Sequence, residues 1–157
     1  MLAAMSLAVA VRDVPLRVVA FDGRAIAGSF FLHLVGDHGG RPETVGDRLN
    51  DPETRFVPVR VEERVELLHL AWIAYVACPG ELPEVAEREA VGCRRERVEL
   101  ELAGGARLAG ELLYALPPGH ARVSDLLNTA GERFLLLLAA GETLFVNRAA
   151  IVRARTD

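Results

Sequence analysis

The sequence predicts an all-β protein made of two tandem copies of one small five-stranded unit. Three observations carry that expectation. The first is a repeat: "VGDRLNDPETRF", Val45 to Phe56, returns as "VSDLLNTAGERF", Val123 to Phe134. The second is a series of short segments that alternate apolar and polar residues, such as "VELEL" at 98–102, the signature of a half-buried strand. The third is regular punctuation by glycine. "DGR" (22–24) and "GGAR" (104–107) place Gly where a tight hairpin needs positive φ.

The repeat orders the elements. An offset of 78 pairs the 32 positions from 45 to 76 with 123 to 154, and eight pairs are identical: Val45/Val123, Asp47/Asp125, Leu49/Leu127, Asn50/Asn128, Arg55/Arg133, Phe56/Phe134, Ala71/Ala149 and Ile73/Ile151. Unrelated chains agree at about one position in sixteen, so a quarter marks a duplication. Upstream the offset is 82, pairing Gly23 with Gly105, Ala27 with Ala109 and Gly28 with Gly110; the first copy therefore carries four extra residues in its loop "GDHGGRPETVG". After the glycine turn each copy reads as a second strand ("AGSFFLHL" or "AGELLYAL"), the loop, and the Asp-x-Leu-Asn turn. A third strand follows ("RFVPVRV" or "RFLLLL"), then a polar turn, a fourth strand, a short "HLAW" or "NRAA" turn, and a last strand at "IAYV" or "IVRA".

Five short strands joined by tight turns in so few residues indicate a small barrel of SH3-like or Sm-like form. The first barrel takes residues 1–77, with an apolar N-terminal extension over 1–13, and the second takes 96–157. Residues 78–95 form the linker, in which Pro83, Glu84 and a run of helix formers predict a short helix.

Composition narrows the function. With 51% hydrophobic and 25% charged residues the chain is globular. Its formal charge of -4, from 18 basic and 22 acidic residues, disfavours nucleic-acid binding driven by phosphate neutralisation. Every basic residue is Arg, so a Schiff-base lysine, a Walker lysine and a Ser-Lys dyad are all excluded. "MLAAMSLAVAV" has no positive residue before Arg12 and is too short to cross a bilayer, so no membrane insertion and a cytoplasmic location are expected. Cys78 and Cys93, both outside the barrels, make no disulfide framework. His33, His38, His69 and His120 lack metal-site spacing, and Ser6, Ser29 and Ser124 sit in no nucleophile elbow. No catalytic residue, metal or cofactor is assigned, and a non-enzymatic protein is expected.

The repeated turn has two readings. In one it is local structure: Ser124 caps a helical turn, Asn128 closes it in the left-handed conformation, and Leu127 plugs the barrel end. Arg133 then pairs with Asp125 and Arg55 with Asp47. In the other, Asp47, Asn50, Arg55, Asp125, Asn128, Arg133 and Arg148 form a ligand corner for phosphate or carboxylate, which admits a nucleotide, cyclic dinucleotide or RNA segment.

The turn also carries a family resemblance. Arg122, Val123, Asp125, Leu127 and Asn128, then Arg133-Phe134 and an apolar strand, then Asn147, Arg148 and Ile151, resemble an uncharacterised bacterial family of small β-barrel domains. The first copy departs from the pattern at His69 and Leu70. The resemblance implies a barrel in tandem and no chemistry.

The copies differ most in their third strands. Alternation puts Val57, Val59 and Val61 inward and Phe56, Pro58 and Arg60 outward; the matching outward positions are Phe134, Leu136 and Leu138. In the last strand Trp72 and Tyr75 become Ala150 and Arg153. Apolar groups at Phe134, Leu136, Leu138, Trp72 and Tyr75 are expected either to pack the two barrels together or to bind another chain, a second copy included.

Overall fold

The computed structural model describes residues 11–35 and 40–157. Most of the N-terminal extension with Ser6, and the part of the first-copy loop that holds His38, lie outside them. The first half runs β1 (Val11–Ala20), β2 (Ala25–His33), α1 (Val45–Asn50), β3 (Phe56–Val61), β4 (Arg64–His69), a 3-10 turn and β5 (Ile73–Pro79). Helix α2 (Pro83–Ala90) follows, with proline at its start. The second half repeats the order: β6 (Arg94–Leu102), β7 (Arg107–Tyr114), α3 (Val123–Asn128), β8 (Phe134–Ala139), β9 (Glu142–Asn147), a 3-10 turn and β10 (Ile151–Thr156).

The strand register of the first half recurs in the second. Val14 pairs with Phe30 as Glu96 pairs with Leu112, and Ser29 with Arg60 as Glu111 with Leu138. Phe56 faces His69 as Phe134 faces Asn147. Both last strands break register one residue after the matching isoleucine. Gly28 and Gly110 serve the same purpose twice: a Cβ would lie 2.4 Å from the Arg60 carbonyl oxygen and 2.2 Å from that of Leu138. Only glycine lets the second and third strands approach so closely.

The expected closure into two barrels is not what the strands do. They form one antiparallel sheet of ten strands in the order β10-β6-β7-β8-β9-β5-β1-β2-β3-β4. Within each half the fourth and fifth strands do not pair. Instead β5 pairs with β9 of the other half, from Tyr75–Val146 to Pro79–Glu142. The physical reason is that an edge must find donors and acceptors somewhere, and here the neighbouring half supplies them.

Two apolar clusters flank this junction. The first gathers Val14, Val18, Phe30, Val45, Leu49, Val57, Val59 and Val76 from the first half, and adds Phe134, Leu136 and Phe145 from the second. The second gathers Val98, Leu100, Leu112, Leu135, Leu137, Leu144 and Val146, and adds Ala74 and Ala77 from the first half. Strand β8 is therefore buried on both faces, which is why it reads as a continuous apolar run rather than an alternation. Val57 and Val59 point inward and Phe56 and Arg60 outward, as alternation predicts. Cys78 is not outside the fold: it is buried in β5 within the first cluster. No helix among the described residues is long and apolar enough to cross a membrane.

Candidate functional site

Side chains bond the two halves together beside the β5–β9 ladder. Asn50, at the end of α1, reaches across 84 residues of sequence to the start of β8. Its Nδ2 donates to the Phe134 carbonyl at 3.3 Å, and the Phe134 N–H donates to its Oδ1 at 2.8 Å. The side chain so imitates a ladder partner on an otherwise uncovered strand end. Asn147 crosses the other way, its buried amide donating to the Ile73 carbonyl at 2.9 Å while accepting from the Ala149 N–H at 3.0 Å. At the rim Arg17 on β1 stands 3.9 Å from Glu142 on β9.

The linker clamps the same junction. Glu84 on α2 accepts from the Val45 and Gly46 N–H groups, both at 3.2 Å, at the start of α1. Burial pushes the Glu84 carboxyl up, against the downward pull of those two bonds and of Arg88. Thr143 Oγ1 donates to the Gly80 carbonyl and accepts from the Leu82 N–H, at 2.8 and 3.1 Å. Cys78, opposite Thr143, has its thiol pushed up to about 12 by burial, with Glu84 and Glu142 adding repulsion for a thiolate.

The corner motif is distributed rather than gathered into one pocket. Thr44 caps α1, accepting from the Asp47 N–H at 3.0 Å while Asp47 accepts the Thr44 N–H at 2.9 Å. Ser124 is not a cap; α3 starts after Arg122, whose N–H donates to Asp125 at 3.0 Å. Asp47 takes a bidentate bond from Arg41, 2.8 Å to each oxygen, instead of from Arg55. Burial opposes ionisation of Asp47, but the bonds from Arg41 and Thr44 outweigh it and hold the carboxyl below its usual range. Asn128 donates to the Ser124 carbonyl at 2.8 Å and is not left-handed: among the described residues only Glu62 is a non-glycine with positive φ. Arg148 donates to the carbonyls of Leu126, Thr129 and Glu132, which withdraws its guanidinium from any anion site. Arg55 is exposed and Arg133 half-buried, and each accepts, at its carbonyl, the N–H of the 3-10 turn at 2.8 Å. The Arg133–Asp125 and Arg55–Asp47 pairs expected from the sequence do not form.

The apolar residues expected outside fare differently from one another. Phe134 and Leu136 are fully buried and Leu138 packs against the first cluster, so they join the halves instead of forming a surface. Tyr75 packs against the second cluster, and Trp72 lies half-buried with Arg24 over its ring at 5.2 Å. The exposed apolar groups are elsewhere. Phe56 (55% exposed), Val65 (56%) and Leu67 (66%) stand on the β3–β4 hairpin at one end of the sheet, and Val152 (67%) on β10 at the other. Phe56 stacks on His69 with ring centres 4.8 Å apart. Among the described residues no group of three His, Cys, Asp or Glu side chains is placed to hold a metal ion.

Sequence reasoning missed Glu84 and Thr143, and noted Asn147 only through the family pattern. The available signal for Asn147 was a polar residue ending the apolar stretch "TLFV". No family model, curated protein or solved structure matches the chain.

Proposed function

We propose that the chain is a non-enzymatic assembly or adaptor module of the cytoplasm that joins other protein chains through the ends of its sheet. On this reading each half is a small barrel of the SH3-like or Sm-like type, opened to share strands. One observation carries it: Phe56, Val65 and Leu67 lie exposed on the terminal hairpin, while the matching residues of the second half, Phe134, Thr143 and Phe145, are fully buried at the seam. An apolar stripe on a terminal strand, with its backbone groups facing outward, is the form that strand-adding partners use. Fully burying a Leu or Phe contributes on the order of 2 kcal/mol, so three such groups support a real interface.

The test is native purification with light scattering and intact-complex mass spectrometry, wild type against Leu67→Asp. Wild type carries a further chain, its own or another, and the variant loses it while keeping its circular dichroism spectrum. A wild type that travels alone, or a folded variant that retains its partner, overturns the reading.

A further inference from the structure

We infer that the two ends of the sheet fit each other: β10 and α3 of one chain take the β3–β4 hairpin of a second copy, head to tail, in the register that already joins the two halves. The inference rests on the assembly reading above and names its partner. Its template is the internal seam. Moving each seam pair by the repeat offset of 78 carries β5 onto β10 and β9 onto β4. The pairs that result, between two copies, are Arg153 opposite Leu68, Ala154 opposite Leu67, Arg155 opposite Glu66, Thr156 opposite Val65 and Asp157 opposite Arg64.

The charges fit. Across the seam Arg17 meets Glu142. The corresponding positions at the two ends are Glu99 and Arg64, with both signs inverted, so attraction is preserved. Arg155 opposite Glu66 and Asp157 opposite Arg64 add two more opposite-charge pairs, the favourable arrangement across antiparallel strands. Arg155 already holds Glu99 at 3.3 Å, and its fork has donors left for Glu66 on the other side.

The sizes fit as well. A Cβ at Gly46 would meet the Phe145 ring at 3.5 Å, an ordinary van der Waals contact, its one severe approach being to the Glu84 carboxylate at 2.8 Å. The corresponding pair is Ser124 and Leu67, a larger residue on the helix facing a smaller one on the strand. The receiving surface is open: a cavity of about 390 Å³ is lined by Val123, Ser124, Leu127, Ala154 and Thr156 among others. Their first-half counterparts are Val45, Gly46, Leu49, Val76 and Cys78. Four of these sit in the cluster that buries Phe134, Leu136 and Phe145, and Gly46 abuts the Phe145 ring.

The polar stitches also have counterparts. Asn128, whose amide rests on its own helix in the single chain, corresponds to Asn50. Turned outward it reaches the backbone of Phe56 of the second copy, as Asn50 reaches Phe134. His69 stands where Asn147 stands, and its ring N–H is a donor for the Ile151 carbonyl of the second copy, as Asn147 is for Ile73. A head-to-tail contact of this kind leaves both outer ends unfilled, so it propagates as a filament or closes as a ring.

The experiment pairs two single variants, Val65→Cys and Thr156→Cys, each at an exposed position. Mixed and mildly oxidised, they give a disulfide-linked dimer on a non-reducing gel; each alone does not, and Leu67→Asp added to the Val65→Cys chain abolishes the product. Sedimentation velocity of the wild type shows species of more than one chain. A wild type that stays monomeric at high micromolar concentration, no dimer from the mixture, or a dimer indifferent to Leu67→Asp overturns the inference. If the wild type binds a different protein through the hairpin yet never itself, this inference falls and the assembly reading stands; if it binds neither, both fall.

Discussion

Strands β3 and β8 occupy the same place in two halves that share order, register and even the glycine that lets a neighbour approach. They differ in what lies beyond them. Beyond β8 stands α1 of the other half, and Phe134 and Leu136 are buried against it. Among the described residues no helix of another half packs on the matching face of β3; β4 alone follows it and ends the sheet, and Phe56, Pro58 and Arg60 face outward. Equivalent positions in the two halves therefore follow what packs beside them rather than their place in the strand order. The side chain is chosen by whether a seam or an open edge lies next to it.

The largest expected contrast tests that directly. Phe134→Ala opens a cavity in a closed core and costs about 3–5 kcal/mol, whereas Phe56→Ala stays within about 0.5 kcal/mol in the single chain. Leu136→Asp, which would be mild at a surface, buries a charge and prevents folding. Urea denaturation under conditions that keep the chain monomeric measures all three. Similar losses for the two phenylalanines would break the comparison.

Next comes protection of the seam itself. Cys78 is buried opposite β9, its thiol pushed up to about 12 by burial and the nearby Glu84 and Glu142. Cys93 is half-buried after α2. A thiol reagent should label Cys93 in the native state and Cys78 only as fast as the seam opens, a rate that Phe134→Ala raises. Labelling of Cys78 at the Cys93 rate would mean that the two halves separate readily.

A finer contrast lies between two identical letters. Asn50→Ala leaves the Phe134 N–H without its partner and costs about 1–3 kcal/mol; Asn128→Ala removes a local helical bond and costs less than about 1 kcal/mol. Thermal melts of the two variants separate these outcomes. If the head-to-tail contact forms, Asn128→Ala gains a second effect, a loss of assembly at concentrations where the wild type associates.

This pair also shows where the sequence was legible and where it was not. Strand identity and order were readable because alternation, glycine turns and a constant offset are local or periodic signals. Closure was not, since it depends on which backbone edge meets which, and backbone edges carry no side-chain signature. Two halves paired through β5 and β9 present the same alternation as two separate barrels. The run "FLLLL" did hold the missing information: four leucines in succession are too many for a strand with one wet face. Asn50 and Asn128 could not be told apart, because only the neighbour that Asn50 touches distinguishes them. The free ends were obscured for the same reason, and Phe56, Val65 and Leu67 became conspicuous only once their counterparts were seen buried.

The smallest contrast concerns Asp47 and Asp125, which both accept the N–H that precedes their helix. Asp47 alone has Arg41, supplied by the first-half loop that is four residues longer. The Arg41 and Thr44 bonds hold its carboxyl below its usual range in spite of burial. A carboxyl with a depressed pKa in the folded state contributes stability that is fully present above its unfolded value, about 3.9. That stability is lost as pH falls through the folded value, because the unfolded chain then takes up the proton first. Asp47→Asn is therefore expected to cost about 0.5–1 kcal/mol at pH 7, with the gap to wild type closing as the pH drops below about 4. Asp125→Asn costs less at pH 7, since no counterpart of the longer loop brings a guanidinium to it. Denaturant melts between pH 3 and pH 7 (a window set by the carboxylate range) measure both. A gap for Asp47→Asn that is constant across that window would show that Arg41 adds nothing to the corner beyond the cap.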